Sequence, residues 1–369
     1  MKPRKKGLFS WLDPWLTACV LPAFVIGFIA IYSSTVNMGA ARFCIVQGAA
    51  FFIGIILLFL ITRVDYDLIG QLAPYIYIGN LLLLIIVLVI GTGGDEVGTK
   101  GWIRLGSVGI QPSEIVKIGF IISFAKHIDA VREDISRPKN VLFLLLHGAL
   151  LIGLVLLQPD FGTAFVFGII MLGMLFTAGI SLKYVFAAGG LFAAAAPLAW
   201  FFLLKDFQKQ RILTFLNPAL DPQGAGYHVI QSKIAVGSGG VLGRGIGQGI
   251  QTQYGYLPEK QTDFIYAVIG EEMGMWGCVL VLVLLTVIII RCFSVGTSAR
   301  DGFGEMLCAG VGFMFMAHVM ESIGMCIGLL PVTGIPLPFF SYGGSNLLAS
   351  MLAVALVTSV GMRRKRMQY

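Results

Sequence analysis

Long apolar segments recur along the whole chain, with shorter polar segments between them. A helix needs about 20 apolar residues to cross the hydrocarbon core of a bilayer. The pattern therefore predicts about ten membrane-spanning helices, near residues 14–33, 42–62, 73–91, 112–127, 141–158, 162–180, 184–204, 263–290, 305–329 and 346–361. The predicted fold is an all-α integral membrane protein, a polytopic helix bundle in which residues 1–369 form one domain.

One polar segment is much longer than the others and lies between the seventh and eighth predicted helices, at residues 205–262. It is rich in Gly, Gln and charged residues, and loops of this length are commonly functional. Within it, GYHVIQSKIAVGSGG (226–240) alternates polar and apolar residues at helical spacing. This segment predicts an amphipathic helix suited to a membrane interface.

Composition agrees with the pattern, because 57% of the 369 residues are hydrophobic and only 12% are charged. The mean hydropathy is +0.87. A soluble chain of this composition would have to bury nearly every helix on all faces, which a protein of this size cannot do. The six cysteines lie in or beside the spans without CxxC spacing, so they are predicted to be small apolar packing residues.

The basic residues predict the orientation in the membrane. They cluster before the first span, after the last span and in alternate loops, at Lys2, Arg4, Lys5, Lys6, Arg63, Lys126, Arg132, Arg137, Lys139, Lys183, Arg291, Arg300, Arg363, Arg364, Lys365 and Arg366. Basic loops stay in the cytoplasm, so both termini are predicted to be cytoplasmic and the 205–262 loop extracytoplasmic. The apolar run after the basic start has no nearby cleavage site and is interpreted as an uncleaved first helix. The net charge of +7 is a topology signal, and no groove-like basic and aromatic pattern predicts a nucleic acid partner.

Three carboxylates fall at the predicted outer membrane face, on three different helices: Glu114, Asp160 and Asp263. An ionisable group near hydrocarbon is costly unless it is paired or faces a wet cavity. Their common depth therefore predicts a cavity that opens to the outside.

Each of these acids also has a purely structural interpretation. Glu114 and Lys117 are three residues apart on one helix, so they can form an ion pair that only fixes helix packing. Asp160 follows Pro159 and is placed to cap the next helix. Asp263 has the position of a first-turn acid favoured by the helix dipole, but it also joins the long outer loop to a span, which favours a functional role.

Other polar residues are less informative. Glu271 and Glu272 lie about two turns beyond Asp263, and either a functional role or hydrogen bonding to a neighbouring helix remains open. His318 and Glu321 share a helix face, but without an HExxH motif interhelical hydrogen bonding is favoured over a metal site or proton relay. The glycine-rich run SGGVLGRGIGQG lacks the GK[ST] ending of a phosphate loop.

Five motifs carry a family resemblance over essentially the whole chain: QPSEIVK (111–117), QPDFGTA (158–164), DPQGAGYHVIQSKIAVGSGG (221–240), LPEKQTDFIYAVIGEEMG (257–274) and PLPFFSYGGSN (336–346). In order and spacing they resemble the SEDS family, which includes RodA, FtsW and SpoVE, and the GYH segment is more similar to the RodA type. The family often has Arg immediately before the Trp of an outer segment. Here Gly101 precedes Trp102.

The resemblance implies a peptidoglycan glycosyltransferase of the bacterial plasma membrane, with its active site facing outside. Such an enzyme polymerises lipid II onto a lipid-linked glycan strand beside a class B penicillin-binding protein, a transpeptidase. In the matching motifs it implies an essential carboxylate at Asp263 and supporting residues at Glu114, Lys117 and Asp160. A RodA-type protein would act in cell elongation and cell-shape maintenance.

The chemistry of this reaction fits the residues. A lipid pyrophosphate is already a good leaving group, so a single base that deprotonates a sugar hydroxyl is sufficient, unlike the carboxylate pair of glycoside hydrolysis. Asp263 is the predicted base, and Glu271 is a further supporting candidate. The candidate cations for the pyrophosphate are Lys117, Lys233, Arg211, Arg244, Lys100 and Arg104. No cofactor is predicted, and a divalent cation, Mg or Mn, at the pyrophosphate is left open, with no metal ligands assigned.

Other functions are compatible with the same composition. A lipid-linked sugar flippase also needs many spans and a polar cavity, but its charges should be distributed through the membrane depth instead of clustering on one side. A scaffold that only positions a partner synthase would not need Asp263. A division or sporulation polymerase of the FtsW or SpoVE type differs in cellular role and not in chemistry.

Overall fold

The computed structural model describes residues 13–92, 101–105, 108–181, 213–218, 221 and 224–363, together with scattered positions between 183 and 209. Within these residues the chain is predominantly helical. Seven of the described helices are long and apolar enough to cross a membrane. The protein is therefore a multi-pass membrane protein with a helical fold, as the hydropathy pattern predicts.

The helices and strands have the following bounds: α1 Pro14–Thr35, α2 Ala40–Arg63, α3 Tyr66–Gln71, α4 Ala73–Ile90, β1 Ile103–Leu105, β2 Val108–Ile110, α5 Pro112–Ala130, α6 Pro138–Leu157, α7 Phe161–Thr177, α8 Ala225–Ser238, α9 Ile250–Gln253, α10 Ile265–Thr297, α11 Gly302–Cys326 and α12 Gly344–Met362. Short 3₁₀ helices follow α1 and α5, at Val36–Met38 and Arg132–Asp134.

Local sequence explains where several helices begin. Pro occupies the first turn of α1, α5 and α6, where its missing amide hydrogen costs nothing. Asp13, Asp160 and Asp301 precede α1, α7 and α11, and each side chain accepts backbone amides of the first turn. The predicted segment 184–204 lies mostly outside the described residues, so the expected number of spans stays a prediction.

The helices differ in how much of their surface is covered. Most residues of α11 and α12 are buried, whereas α2, α4 and α6 expose many large apolar side chains. Helix α11 packs against α5, α7 and α10, and α12 packs against α2. The central helices can therefore carry polar side chains away from lipid, while the outer helices present the apolar surface that hydrocarbon requires.

Helix α10 is interrupted where it meets the glycine-rich loop. Gly274 has φ 66° and ψ −158°, so α10 consists of a short part before this residue and a long part after it. A Cβ at Gly274 would collide with the backbone of Gly243, and the amide of Met275 donates to the carbonyl of Gly240 at 3.0 Å. The run 238–249 thus packs on a helix break, which explains its glycines without a bound phosphate.

Two features of the outer side differ from the sequence expectation or refine it. Strands β1 and β2 form an antiparallel hairpin, pairing Arg104 with Gly109, in a region predicted to be a short loop. The predicted amphipathic helix is present as α8, but its buried residues Val229, Ser232 and Ala235 face the protein, and it packs against α10 and α11. The Ser232 hydroxyl donates to the carbonyl of Cys326 at 2.7 Å, which ties α8 to the end of α11.

Candidate active site

Asp263 lies in a tight turn immediately before α10. The carbonyl of Glu259 accepts the amides of Thr262, Asp263 and Phe264 at 3.2, 3.1 and 3.3 Å. Glu259 itself has φ 45°, a left-handed conformation that is uncommon for a residue other than glycine. Three hydrogen bonds to one carbonyl hold the turn in a defined shape, and strained backbone of this kind is frequent at functional sites.

The Asp263 carboxylate is half-buried beside the segment that follows α11. A Cβ at Gly334 would lie 3.4 Å from Asp263 Oδ2, so the Gly334 backbone lies directly against this oxygen. Burial and, to a smaller extent, the negative charge of Glu259 together raise the pKa of Asp263 to about 7, against the lowering effect of a hydrogen bond from Thr262. A carboxylate in this environment can accept a proton near neutral pH.

The segment Pro336–Gly343 fixes this turn from the other side. The Ser341 hydroxyl donates to the carbonyl of Thr262 at 2.6 Å and accepts the amide of Leu337 at 2.8 Å. The amide of Tyr342 donates to the carbonyl of Gln261 at 2.8 Å. Phe339 is buried with φ 68°, a second left-handed non-glycine residue near the site. The two turns are therefore one hydrogen-bonded unit.

Glu114 and Lys117 form the predicted ion pair, with 2.9 Å between Lys117 Nζ and Glu114 Oε1. Both side chains are almost completely buried, so each charge needs further partners. Asn346 of α12 donates to Glu114 Oε2 at 3.4 Å, and Lys117 donates to His318 of α11 at 2.7 Å. This second hydrogen bond confirms the interhelical role predicted for His318.

Asp160 combines the helix-capping role with a place in the same polar cluster. Its Oδ1 accepts the amide of Thr163 at 3.0 Å, and its Oδ2 accepts the side-chain amide of Gln111 at 3.3 Å. It also interacts electrostatically with Lys117 and Glu114. The structure thus brings Glu114, Lys117 and Asp160 together in one cluster. Asp263 is not part of this cluster, and the Pro336–Gly343 segment connects the two.

Gly101 stands where the related family often has Arg, and its position shows what that Arg would meet. A Cβ at Gly101 would lie 3.9 Å from Asp160 Oδ2 and 3.8 Å from Gln158 Oε1. A longer basic side chain at this position would therefore start beside Asp160. In this chain Gln111 occupies that side of the carboxylate.

Glu271 and Glu272 hold the outer loop in place. Glu271 accepts the amides of Gln251 and Thr252 at 2.8 and 3.0 Å, and the hydroxyl of Thr252 at 2.8 Å. Glu272 accepts the hydroxyl of Ser33 at 2.6 Å. Both oxygens of Glu271 accept hydrogen bonds from α9, which is the hydrogen-bonding alternative that the sequence left open for this residue.

Three of the candidate cations are exposed residues on the side predicted to be outer. Lys233 is exposed on α8, and its Nζ lies against Gly328 just after α11. Arg244 is exposed, and its Nε donates to the carbonyl of Ser238 at 3.2 Å. Arg104 is exposed on β1. Lys100 and Arg211 lie outside the described residues.

Among the described residues, no three His, Cys, Asp or Glu side chains are grouped so that they could hold a metal ion. The six cysteines are free, and four of them are buried, in agreement with the predicted packing role.

The fold and the site define a polytopic membrane protein with a buried polar cluster and a poised carboxylate at the head of a broken helix. The family model described as "Cell cycle protein", which covers FtsW, RodA and SpoVE, matches residues 14–366. The chain belongs to this family, the SEDS family, and the resemblance found in the sequence is confirmed.

Individual relatives match over nearly their whole length. The peptidoglycan glycosyltransferase MrdB of Escherichia coli (strain K12) is 36% identical over 368 residues, which are 98% of this chain and 97% of MrdB. A chain of a solved peptidoglycan synthase complex, described for its coordination of polymerization and crosslinking, matches with a TM-score of 0.81 and 31% identity, covering 96% of this chain and 99% of that one. The rod shape determining protein RodA of Thermus thermophilus matches with a TM-score of 0.72 and 27% identity, covering 96% and 98%.

Proposed function

We propose that this protein is a peptidoglycan glycosyltransferase that polymerises lipid II into β-1,4-linked glycan strands, with Asp263 as the general base. The observation that carries the assignment of the base is the half-buried Asp263 carboxylate, whose pKa burial raises to about 7. The relatives named peptidoglycan glycosyltransferase support the reaction class.

The reaction is a direct displacement at the anomeric carbon of the lipid-linked strand. Asp263 accepts the proton of the 4-hydroxyl of an incoming lipid II, and the hydroxyl oxygen forms the new bond to that carbon. The bond to undecaprenyl pyrophosphate breaks, and the pyrophosphate leaves with the electron pair. Attack opposite the leaving group inverts the α configuration to β, so no covalent enzyme intermediate is required.

The leaving pyrophosphate needs positive charge as its bond breaks. Lys117 is one candidate; its side chain is fully buried and fixed by two protein partners, so it needs no side-chain ordering when substrate binds. The exposed Lys233, Arg244 and Arg104 supply charge on the outer surface, and Lys100 and Arg211 remain candidates from the sequence. A Mg or Mn ion, where bound, would stabilise the negative charge on the leaving pyrophosphate, and no residues of this chain are assigned as its ligands.

The site faces the outside of a bacterial plasma membrane, and both termini lie in the cytoplasm. This orientation rests on the basic loops, and it places the 205–262 loop and Asp263 where lipid II is used. The likeness to a chain of a peptidoglycan synthase complex supports a penicillin-binding protein as partner. We assign that partner to class B, a transpeptidase that crosslinks the strands made here.

The cellular role that we assign is elongation and cell-shape maintenance, which the likeness to the rod shape determining protein supports. A division or sporulation polymerase would carry out the same chemistry. Depletion of this protein from the cell distinguishes a role in elongation from a role in division. Loss of rod shape is expected, whereas filaments with blocked septa would indicate a division enzyme.

The experiment that tests the reaction compares Asp263→Asn with the native protein. Polymer is measured from lipid II in detergent, with and without the co-purified penicillin-binding partner. Loss of the base is expected to lower the rate by about 10²-fold to 10⁴-fold. The matched control Asp134→Asn changes a half-exposed acid of a cytoplasmic loop that pairs with Arg137, and it should polymerise at the native rate.

Each contrary outcome has a defined meaning. Normal polymer from Asp263→Asn would overturn the assignment of the base. If the native protein makes no polymer even with its partner, the glycosyltransferase proposal fails, and transport of labelled lipid II across vesicles would then identify a flippase. If the partner makes polymer equally well with native protein and Asp263→Asn, the protein is a scaffold.

A further inference from the structure

His318 makes two hydrogen bonds that fix its protonation pattern. An ammonium group can only donate, so His318 Nε2 accepts from Lys117 Nζ at 2.7 Å. The proton of the neutral ring is then on Nδ1, which donates to the carbonyl of Pro336 at 3.2 Å. The residue is 2% exposed, so the ring is shielded from bulk solvent. One tautomer satisfies both partners.

These two partners belong to different parts of the site. Lys117 is the buried cation paired with Glu114, and it is fixed on α5. Pro336 opens the segment whose next residues hold the Asp263 turn. The amide of Leu337 donates to Ser341 Oγ at 2.8 Å, and the Ser341 hydroxyl donates to the carbonyl of Thr262 at 2.6 Å. A continuous series of hydrogen-bonded residues therefore connects Lys117 to the residue before Asp263.

We propose that His318 is a positioning residue that couples the buried cation Lys117 to the turn carrying Asp263. This inference rests on the proposed function, in which Lys117 stabilises pyrophosphate and Asp263 is the base. His318 touches neither the reacting hydroxyl nor the anomeric carbon. Its Nε2 sets the position of the ammonium group, and its Nδ1–H sets the position of the segment that fixes the base.

Conservative substitutions can separate the role of His318 Nε2 from the role of His318 Nδ1. A glutamine amide reaches the position of Nε2 and keeps the acceptor for Lys117, but it leaves the Pro336 carbonyl without its donor. An asparagine amide reaches the position of Nδ1 and keeps the donor to Pro336, but it leaves Lys117 without its second acceptor. His318→Gln should therefore disturb the base, and His318→Asn should disturb the pyrophosphate cation.

The test is steady-state polymerisation of lipid II by the full-length protein with its partner. His318→Gln is expected to lower kcat by about 10-fold to 100-fold, with KM changed by less than about twofold. His318→Asn is expected to raise KM about tenfold, with kcat within about threefold of native. The control His147→Asn removes a half-buried histidine that contacts His127 and Ser123, and it should leave both constants per folded protein unchanged.

A histidine that only packs would behave differently. It would lower the melting temperature and the folded yield, while both variants kept native constants per folded protein or lost the same parameter to the same extent. Either result overturns the proposal. If neither His318 variant folds, Ser341→Ala tests the proposal instead. It removes the hydrogen bond to Thr262 from the same series of hydrogen bonds, and it must lower kcat at unchanged KM. Asp263→Asn is measured in parallel, since its activity at the native rate would refute the proposed function itself.

Discussion

At the residue scale, the decisive feature is the environment of Asp263. The residue can be singled out from sequence because it joins a long polar loop to an apolar helix. Its neighbours cannot, since Gly334 lies 71 positions away in the chain and approaches only in the folded protein. Glu259 is close in sequence, but its effect depends on the turn that brings it near the carboxylate. The raised pKa of Asp263 therefore depends on the tertiary structure.

A substitution at Glu259 tests directly how its charge affects the pKa of Asp263. Burial and the Glu259 charge together raise the pKa of Asp263, and a base works only when deprotonated. The native rate should therefore fall as pH drops below about 7. Glu259→Gln removes one raising cause and is expected to move this acid limb of the rate profile to lower pH. The profile is measured as polymerisation rate against pH.

Glu133→Gln is the control, because it neutralises an exposed acid on the side predicted to be cytoplasmic and should leave the acid limb in place. If the acid limb of the rate profile stays fixed in Glu259→Gln, or moves to higher pH, the Glu259 charge does not raise the pKa of Asp263. A limb that moves in the control would show that overall charge, not the local contact, sets the profile.

At the element scale, the break in α10 organises the outer loop. The two halves of α10 meet at Gly274, and the amides of Arg244 and Gly245 donate to the carbonyls of Glu271 and Glu272 just before the break, each at 3.0 Å. The side chains of these two acids hold α9 and α1. The sequence shows the glycines and the paired acids, but no local pattern says that they meet, and hydropathy alone predicts an unbroken helix.

Gly274→Ala tests this arrangement. The residue has φ 66°, and an added Cβ would collide with Gly243, so the substitution is expected to lower the free energy of unfolding by about 1–3 kcal/mol or more. Thermal unfolding of the purified protein in detergent, followed by size-exclusion chromatography, measures the loss. Gly153→Ala in α6 is the matched control, since nothing lies within 4 Å of its Cβ position.

The control should be neutral or stabilising by about 0.5–1 kcal/mol, because Ala is the better helix former. Equal melting temperatures for Gly274→Ala and the native protein would contradict the close contact between the helix break and the loop. A loss of stability in both variants would point to general intolerance of substitution.

At the scale of the whole molecule, charged contacts cluster at the predicted cytoplasmic ends of the helices. Arg291 at the end of α10 donates to both oxygens of Asp13 before α1, with a shortest distance of 2.7 Å. Arg132 pairs with Glu305 at 2.5 Å, and Arg300 pairs with Asp67. Part of the basic charge that sets orientation therefore also joins helices at that face, whereas the deeply buried Glu114–Lys117 pair lies at the opposite face.

This orientation predicts a labelling pattern in intact spheroplasts. Gln248→Cys is exposed in the outer loop and should react with a membrane-impermeant maleimide. Glu133→Cys is exposed between α5 and α6 and should react only after permeabilisation. The native chain is the control, because most of its cysteines are buried. Reaction of Glu133→Cys from outside would mean that the orientation is reversed.

The sequence by itself determined the membrane class, the positions of the helices near α1, α2, α4, α5, α6, α7, α11 and α12, and the helix ends at which Glu114, Asp160 and Asp263 lie. These follow from hydropathy and charge, which are local properties that each segment carries into any fold. The ion pair between Glu114 and Lys117 was also predictable, since three residues of helix bring the two side chains to one face.

Only the tertiary structure decided which polar groups are partners across helices. His318 meets Lys117 across 201 positions, and Ser33 meets Glu272 across 239. The β1–β2 hairpin and the break at Gly274 were likewise missed, and the partners of Glu271 could not be named from sequence. The physical reason is that a buried polar group must find a partner wherever packing offers one, and packing is set by the assembly of all the helices, not by the pattern within any one of them.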